Sequence, residues 1–175
     1  MELTSETFRK VMGHFATGVT VVTVLDGDRP SGITVNALSS VSLDPPLVMI
    51  AIDRRRRIHP HVVAAGRYAV NILGEGQQPL ADCFAGAAVE PGLDAFCGAA
   101  WHPGESGLPL IDGSIATLEC TIAQRIPVGD HDLFIGRVDT LRTEDEHVAP
   151  LLFYRRRYLQ VDRAREFVPE GRPEQ

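Results

Sequence analysis

The sequence predicts a mainly β domain, on three observations. Val, Ile, Leu and Thr are plentiful while aromatic residues make up 6% of the chain, a balance that suits pleated sheets better than a helical bundle. Short runs dense in β-branched or alternating residues recur, separated by turn signals such as Asp26-Gly27 and Gly129-Asp130. Alternating βαβ units are missing, and Gly74-Glu75-Gly76 runs into Gln and Pro, which cannot open a dinucleotide-binding helix, so a doubly wound fold is disfavoured. Many short strands with two or three helices indicate a closed β-barrel.

At 175 residues and 44% hydrophobic content the chain suits one domain able to bury its own core. No apolar run approaches the roughly eighteen residues of a membrane span, and Met1 to Thr7 carries no basic head followed by an apolar core. A soluble cytoplasmic protein is therefore expected. Cys83, Cys97 and Cys120 show no C-x-x-C spacing and are odd in number, which predicts structural thiols in a reducing compartment. A formal charge of −6 argues against nucleic acid as a partner. Lys10 is the sole lysine, which excludes a Walker-type phosphate loop.

In chain order, Ser5 to Phe15 sets Phe8, Val11, Met12 and Phe15 at helical spacing and predicts a helix packed on the core. Gly18 to Leu25 is rich in β-branched residues, and Arg29 to Val41 is expected to return antiparallel to it. Pro45-Pro46 interrupts pairing before Leu47 to Ile52, a central strand apolar on both faces. His59-Pro60-His61 opens a short helix that Gly66 ends. No Cys, Asp or Glu stands at ligand spacing beside these histidines, so no metal site is expected. Tyr68 to Leu73 reads as a strand and Gln78 to Ala85 as a helix holding Leu80 and Phe84 inward. Gly86 to Pro109, rich in Gly, Ala and Pro, reads as a long loop of the kind that serves as lid, interface or connector. Ser114 to Gln124 alternates between a core face and a more polar one; Leu133 to Leu141 and Leu151 to Val161 supply the last strands. Residues 1–165 form the expected domain and 166–175 a frayed tail.

The stretch Gly32 to Asp53, GITVNALSSVSLDPPLVMIAID, runs from small residues and hydroxyls through a Pro-containing turn into an apolar strand. It offers main-chain donors and acceptors, room and a rigid floor, which a flat polar ring needs. Thr34, Asn36, Ala37, Ser39, Ser40 and Ser42 meet those needs; a half-buried edge strand with hydroxyls decorating a turn is the alternative. Arg54 to Arg57 stand in a row, either gripping a phosphate through paired N–H donors or forming a solvated charge run. With Arg155 to Arg157 they hold seven of the 17 basic residues, a focusing that favours a small polyanion.

Together with FATGVTVVT (Phe15 to Thr23), GRYAVNIL (Gly66 to Leu73), QQPLADCFAG (Gln77 to Gly86), GLPLIDGSIATLECTI (Gly107 to Ile122), GDHDLFIGRV (Gly129 to Val138) and PLLFYRRRY (Pro150 to Tyr158), that stretch closely resembles the flavin reductase family. These are small NAD(P)H:flavin oxidoreductases that feed reduced flavin to partner monooxygenases. The resemblance implies an FMN-binding split β-barrel with a few short flanking helices, forming a homodimer with flavin at the junction. It implies FMN or FAD as cofactor, NADH or NADPH as hydride donor, and an oxygenase component receiving the reduced flavin.

Position by position, the resemblance puts Thr34, Val35, Asn36, Ala37, Leu38, Ser40 and Val41 along the flavin and Arg55, Arg56 and Arg57 at its phosphate. Phe84 and Ala85 would border the flavin and nicotinamide pocket, and His131 with Arg155, Arg156, Arg157 and Tyr158 would face the nicotinamide nucleotide. From the residues alone, Phe84 reads equally as a core aromatic and His131 as a turn cap. Two departures stand out: the arginine run lacks the family's hydroxyls, and Arg156 occupies a position usually held by Gly. No paired carboxylates, Ser/His/Asp set or activated Cys can be picked out. That suits hydride transfer, which asks the protein mainly to stack two rings and exclude water. A non-catalytic flavin carrier or partner subunit is the competing function. A barrel binding single-stranded nucleic acid would need exposed stacking aromatics, and few are available.

Overall fold

Thr4 accepts the Thr7 N–H at 3.1 Å while Thr7 Oγ1 takes the Thr4 N–H at 2.9 Å, a reciprocal cap that starts the first helix. The computed structural model describes residues 2–86, 96–143 and 148–161; the expected tail at 166–175 and residues 87–95 of the expected loop lie outside them. The helix, α1 (Ser5–Met12), leads to β1 (Thr17–Gly18), β2 (Thr20–Asp26), β3 (Arg29–Val35), β4 (Leu38–Leu43) and β5 (Pro46–Asp53). Then come α2 (His59–Ala65), β6 (Arg67–Ile72), α3 (Gln78–Phe84), β7 (Trp101–Pro103) and β8 (Pro109–Ile111). The long strands β9 (Ala116–Val128) and β10 (His131–Thr143) precede β11 (Leu152–Tyr154) and β12 (Arg157–Leu159). No helix among the described residues is long and apolar enough to cross a membrane.

Seven strands form one antiparallel sheet in the order β3-β2-β6-β9-β10-β5-β4. Its edges, β3 and β4, are consecutive in the chain yet unpaired with each other, and the sheet curls until β3 touches β5. The result is the mainly β, split-barrel architecture expected, with its seam at Asn36-Ala37. Inside lie Val22, Val24, Ile50, Ile52, Val62, Tyr68, Val70 and Phe134, each 1% exposed or less. At ~1.5–3 kcal/mol for each fully buried large apolar side chain, this cluster dominates stability. A second cluster, with Val19, Val21, Leu73, Ala81, Phe84, Phe96 and Leu151, seats α3 against the outside of β2.

Several expectations are corrected. The single return strand over Arg29 to Val41 is two strands broken at Asn36-Ala37, because the chain leaves one sheet edge and joins the other there. Trp101–Pro103 pairs with Pro109–Ile111 inside the expected loop, and Leu151 to Val161 is a tight hairpin instead of one strand. Cys83 and Cys97 are joined in a disulfide, leaving only Cys120 free and buried, so the odd count hid one bridge plus one thiol. Glu119, expected on a polar face, is 2% exposed. Its carboxylate accepts the N–H groups of Glu105 and Ser106 at 2.9 Å each, the Thr140 hydroxyl at 2.8 Å and the Ser106 hydroxyl. Finally, α1 buries none of its residues: Phe8, Val11 and Met12 are 58, 56 and 50% exposed, and Phe15, which lies beyond the helix end, is 71% exposed.

Candidate functional site

The seam opens into a cavity of about 890 Å³. Its floor is Asn36, Ala37, Leu38 and Ser39 at the break between β3 and β4, backed by Met49 of β5 and Ile72 of β6. One wall is the segment from Met12 to Gly18, and the other is the β11–β12 hairpin through Phe153 and Arg156. The break is shaped by its own main chain: the Leu38 N–H reaches back to Asn36 O at 3.0 Å, and the Ala51 N–H donates to Ala37 O at 3.2 Å. Asn36 is fixed by donating from Nδ2 to Thr17 Oγ1 at 3.0 Å, which ties the floor to the first wall. A Cβ placed on Gly18 would meet nothing within 4 Å, so this wall is open space and not packing.

Of the residues the sequence singled out, Asn36, Ala37, Leu38, Ser39 and Arg156 line this cavity together. Thr34 and Val35 lie beneath it: the Thr34 hydroxyl donates to Ala81 O at 2.7 Å, joining β3 to α3, and Val35 is 5% exposed in the core. Ser40 and Val41 sit further along β4, at a bulge where Ser40 pairs with Val48 and Ser42 with Leu47. Phe84 is buried edge-on against Phe96, with ring centroids 5.2 Å apart, and it fills the space a side chain on Gly32 would need. Ala85 is exposed at the C-terminal cap of α3. Tyr158 packs on Phe153, centroids 5.2 Å apart, and burial, with the Asp82 carboxylate beside it, pushes its hydroxyl pKa up to about 12.

His131 and Arg55 to Arg57 gather where β5 and β10 pair Asp53 with His131, outside the cavity lining. His131 Nδ1 lies 2.6 Å from Asp130 Oδ1. Arg55 forks onto Asp53, with Nη2 to Oδ2 at 2.7 Å, and reaches Asp130 at 3.8 Å. These hydrogen bonds from Arg55 hold the Asp53 carboxyl well below its usual range. Arg56 and Arg57 are exposed and make no ion pair among the described residues. Arg155 is likewise exposed at the hairpin tip, where Arg157 pairs with Tyr154.

Beneath this end sits Asp132, fully buried, with Oδ2 at 2.8 Å from His59 Nε2 and 2.5 Å from Arg125 Nε. Burial pushes its carboxyl up, but those hydrogen bonds outweigh it and keep it below its ordinary value. Arg54 Nε stands 3.9 Å from Oδ1 of the same residue. His61 turns away to Asp26 at 3.1 Å, so the two histidines of the His-Pro-His run diverge. No cluster of His, Cys, Asp or Glu among the described residues is placed to hold a metal.

Sequence reasoning missed Arg9, Thr17, Met49 and Phe153 as cavity residues. Thr17 and Phe153 carried a faint signal, since both lie inside motifs already singled out. Met49 also lies inside a singled-out stretch, Gly32 to Asp53, but was read there only as part of an apolar strand; Arg9 carried no signal, because only folding brings α1 to the seam.

Residues 12–162 match the model of the flavin reductase like domain. An NADH-dependent flavin reductase from a Rhodococcus species is 42% identical over 156 residues, covering 87% of this chain and 84% of that protein. The crystal structure of a nitrilotriacetate monooxygenase component B homolog from Mycobacterium thermoresistibile superposes with a TM-score of 0.87 at 38% identity, covering 95% and 92% of the two chains. An NADH:FAD oxidoreductase from Streptomyces globisporus, solved in complex with NAD and FAD fragments, gives a TM-score of 0.80 at 38% identity, covering 98% and 100%. Split barrel, seam cavity and a match over nearly the whole length agree: the chain belongs to the flavin reductase like domain family.

Proposed function

We propose that this protein reduces free FMN or FAD with NADH or NADPH at the seam cavity and passes the reduced flavin to a separate oxygenase component. The observation that carries the reading is the cavity itself. Its volume of about 890 Å³ falls within the ~300–1,000 Å³ of small-molecule sites, and its floor is small residues and main chain at a break in the sheet. When bound, the two rings supply the redox chemistry, a hydride passing from nicotinamide to flavin. The chain's own residues do the rest. Asn36 and Ser39 present polar groups to a ring edge, Leu38 and Met49 give an apolar face, and Phe15 and Phe153 border the water-excluding sides.

The exposed apolar face of α1, next to the cavity wall, is what a second copy would cover, so the working unit is a homodimer. The proposed compartment is the cytoplasm, where the nicotinamide donor is found.

The test is anaerobic mixing with FMN or FAD and each nicotinamide in turn, following loss of flavin colour. Turnover is expected with at least one pair; flavin binding without bleaching would make the protein a carrier. Asn36→Leu, which fills the floor and removes its tie to Thr17, should weaken flavin binding at least tenfold in a folded protein. Unchanged affinity would remove the seam from the site.

A further inference from the structure

Among the described residues, Arg9 and Arg156 are the charged ones lining the seam cavity, and no carboxylate lines it with them. Among the described residues neither guanidinium makes an ion pair: Arg9 Nε donates to Ser5 O at 3.2 Å, and Arg156 has no hydrogen-bond partner at all. In the Arg54–Arg57 run, Arg55 is matched by Asp53 and Asp130 and Arg54 by Gly129 O and Asp132, while Arg56 and Arg57, unpaired among the described residues, lie outside the cavity lining. Positive charge left unmatched beside a largely apolar cavity is where an anionic group gains most, since low-dielectric walls concentrate the field.

The backbone at Arg156 points the same way. Tyr154 pairs with Arg157, so the hairpin between β11 and β12 has a two-residue turn, and both turn residues are left-handed: Arg155 at φ 50 and Arg156 at φ 65. Such turns select Gly or Asn, because a Cβ is disfavoured there. Here two arginines stand instead. The turn is pinned, with the Arg155 N–H donating to Gly13 O at 2.8 Å, which seats the hairpin tip on the end of α1 and Arg156 in the cavity wall. A strained residue held where glycine would relax the chain points to use of its side chain.

We propose that Arg156, assisted by Arg9, is an anion subsite that reads a phosphate of the nucleotide held in the cavity and so sets nucleotide preference. The inference rests on the flavin reductase reading. The ligand chemistry is a phosphomonoester or diphosphate, carried by the flavin nucleotide or by the nicotinamide donor. Arginine grips such a group through two parallel N–H donors, a charge-assisted pair that lysine reproduces only as a point charge.

The experiment compares wild type, Arg156→Gly and Arg156→Lys. Riboflavin, which has the ring without phosphate, is titrated beside FMN and FAD; NADH and NADPH are then compared at saturating flavin. Wild type should prefer a phosphate-bearing flavin over riboflavin, or show a phosphate-dependent KM for a nicotinamide. Arg156→Gly should shrink that preference about tenfold, the loss expected for one charge-assisted contact, and Arg156→Lys should restore part of it. A change confined to the flavin series puts the phosphate on the flavin; one confined to KM for the nicotinamide puts it on the donor. Because glycine relaxes the turn, Arg156→Gly should also melt ~2–4 °C higher, so a lost preference cannot come from unfolding. Unchanged ratios in both series, or riboflavin weakened as much as FMN, would overturn the subsite. A wild type that binds no flavin and oxidises no nicotinamide would overturn the reductase reading and the subsite with it, an outcome distinct from unchanged ratios in an active enzyme.

Discussion

Gly136 lies in the middle of β10, hydrogen-bonded between β9 and β5, and faces the buried ring of Tyr68. A Cβ there would collide with the Tyr68 hydroxyl and come within 2.8 Å of its Cζ and 2.9 Å of Cys120 Cβ. Tyr68 is 0% exposed, and its hydroxyl has no partner among the described residues. Gly136→Ala should therefore cost ~1–3 kcal/mol of overpacking, offset by ~0.5–1 kcal/mol from replacing a flexible glycine in a strand. Tyr68→Phe removes both an unsatisfied buried hydroxyl, worth ~1–3 kcal/mol when stranded, and the nearest clashing atom. The double variant should then recover at least ~1 kcal/mol beyond additivity, well outside the ~0.3–0.5 kcal/mol scatter of independent sites. Thermal unfolding by circular dichroism reads this directly, at ~2–4 °C per kcal/mol for a chain of this size. A Gly136→Ala protein as stable as wild type, or a strictly additive double variant, would show that the glycine is not there to make room for the ring.

Two further outcomes can be checked with purified protein. Val11→Asp places a charge on the exposed apolar face of α1 and should convert a dimer to a monomer in analytical ultracentrifugation; a wild type already monomeric at micromolar concentration would refute the interface. Burial pushes the Glu119 carboxyl up, but four hydrogen bonds outweigh it and hold it below its ordinary value. The stability it contributes is therefore present above the unfolded value of ~4.3 and lost as pH falls through the lower folded value. Glu119→Gln cannot accept all those bonds, so it should melt below wild type at pH 7 with the gap closing toward pH 3; a gap constant with pH would show that the charge plays no part.

How far the sequence disclosed all this depends on whether a feature is local. The hairpin at Asp26-Gly27 and the α2 stop at left-handed Gly66 are governed by neighbours a few residues away, and both were legible, whereas the expected core and polar faces of β9 were not, since Thr117 and Glu119 are buried by contacts from elsewhere in the fold. The motif glycines Gly32 and Gly136 were legible as positions but not as reasons: one makes room for Phe84 and the other for Tyr68, contacts that only the folded barrel creates. The disulfide was hidden because three cysteines give no pairing, and bringing Cys83 to within 6.0 Å of Cys97, Cα to Cα, requires α3 and the segment before β7 to be in place. Within the site, Asn36 to Leu38 could be named from their small and polar character, whereas Arg9 reaches the cavity from a helix that local periodicity assigned to the core.

That misassignment carries a physical lesson about α1. Its apolar face is real, but the barrel interior is already filled by strand residues, and Leu73, Phe84 and Leu151 complete the packing under α3. Among the described residues nothing buries the apolar face of the helix, although Met12 and Phe15 also wall the cavity. Covering the apolar face and closing the cavity are thus one event: a surface seated on α1 excludes water from the same wall that borders the floor at Asn36. Hydride transfer demands that exclusion. With no acid or base among the described residues lining the cavity, the proposed homodimer would, by burying α1, complete the proposed site as well as stabilise the protein.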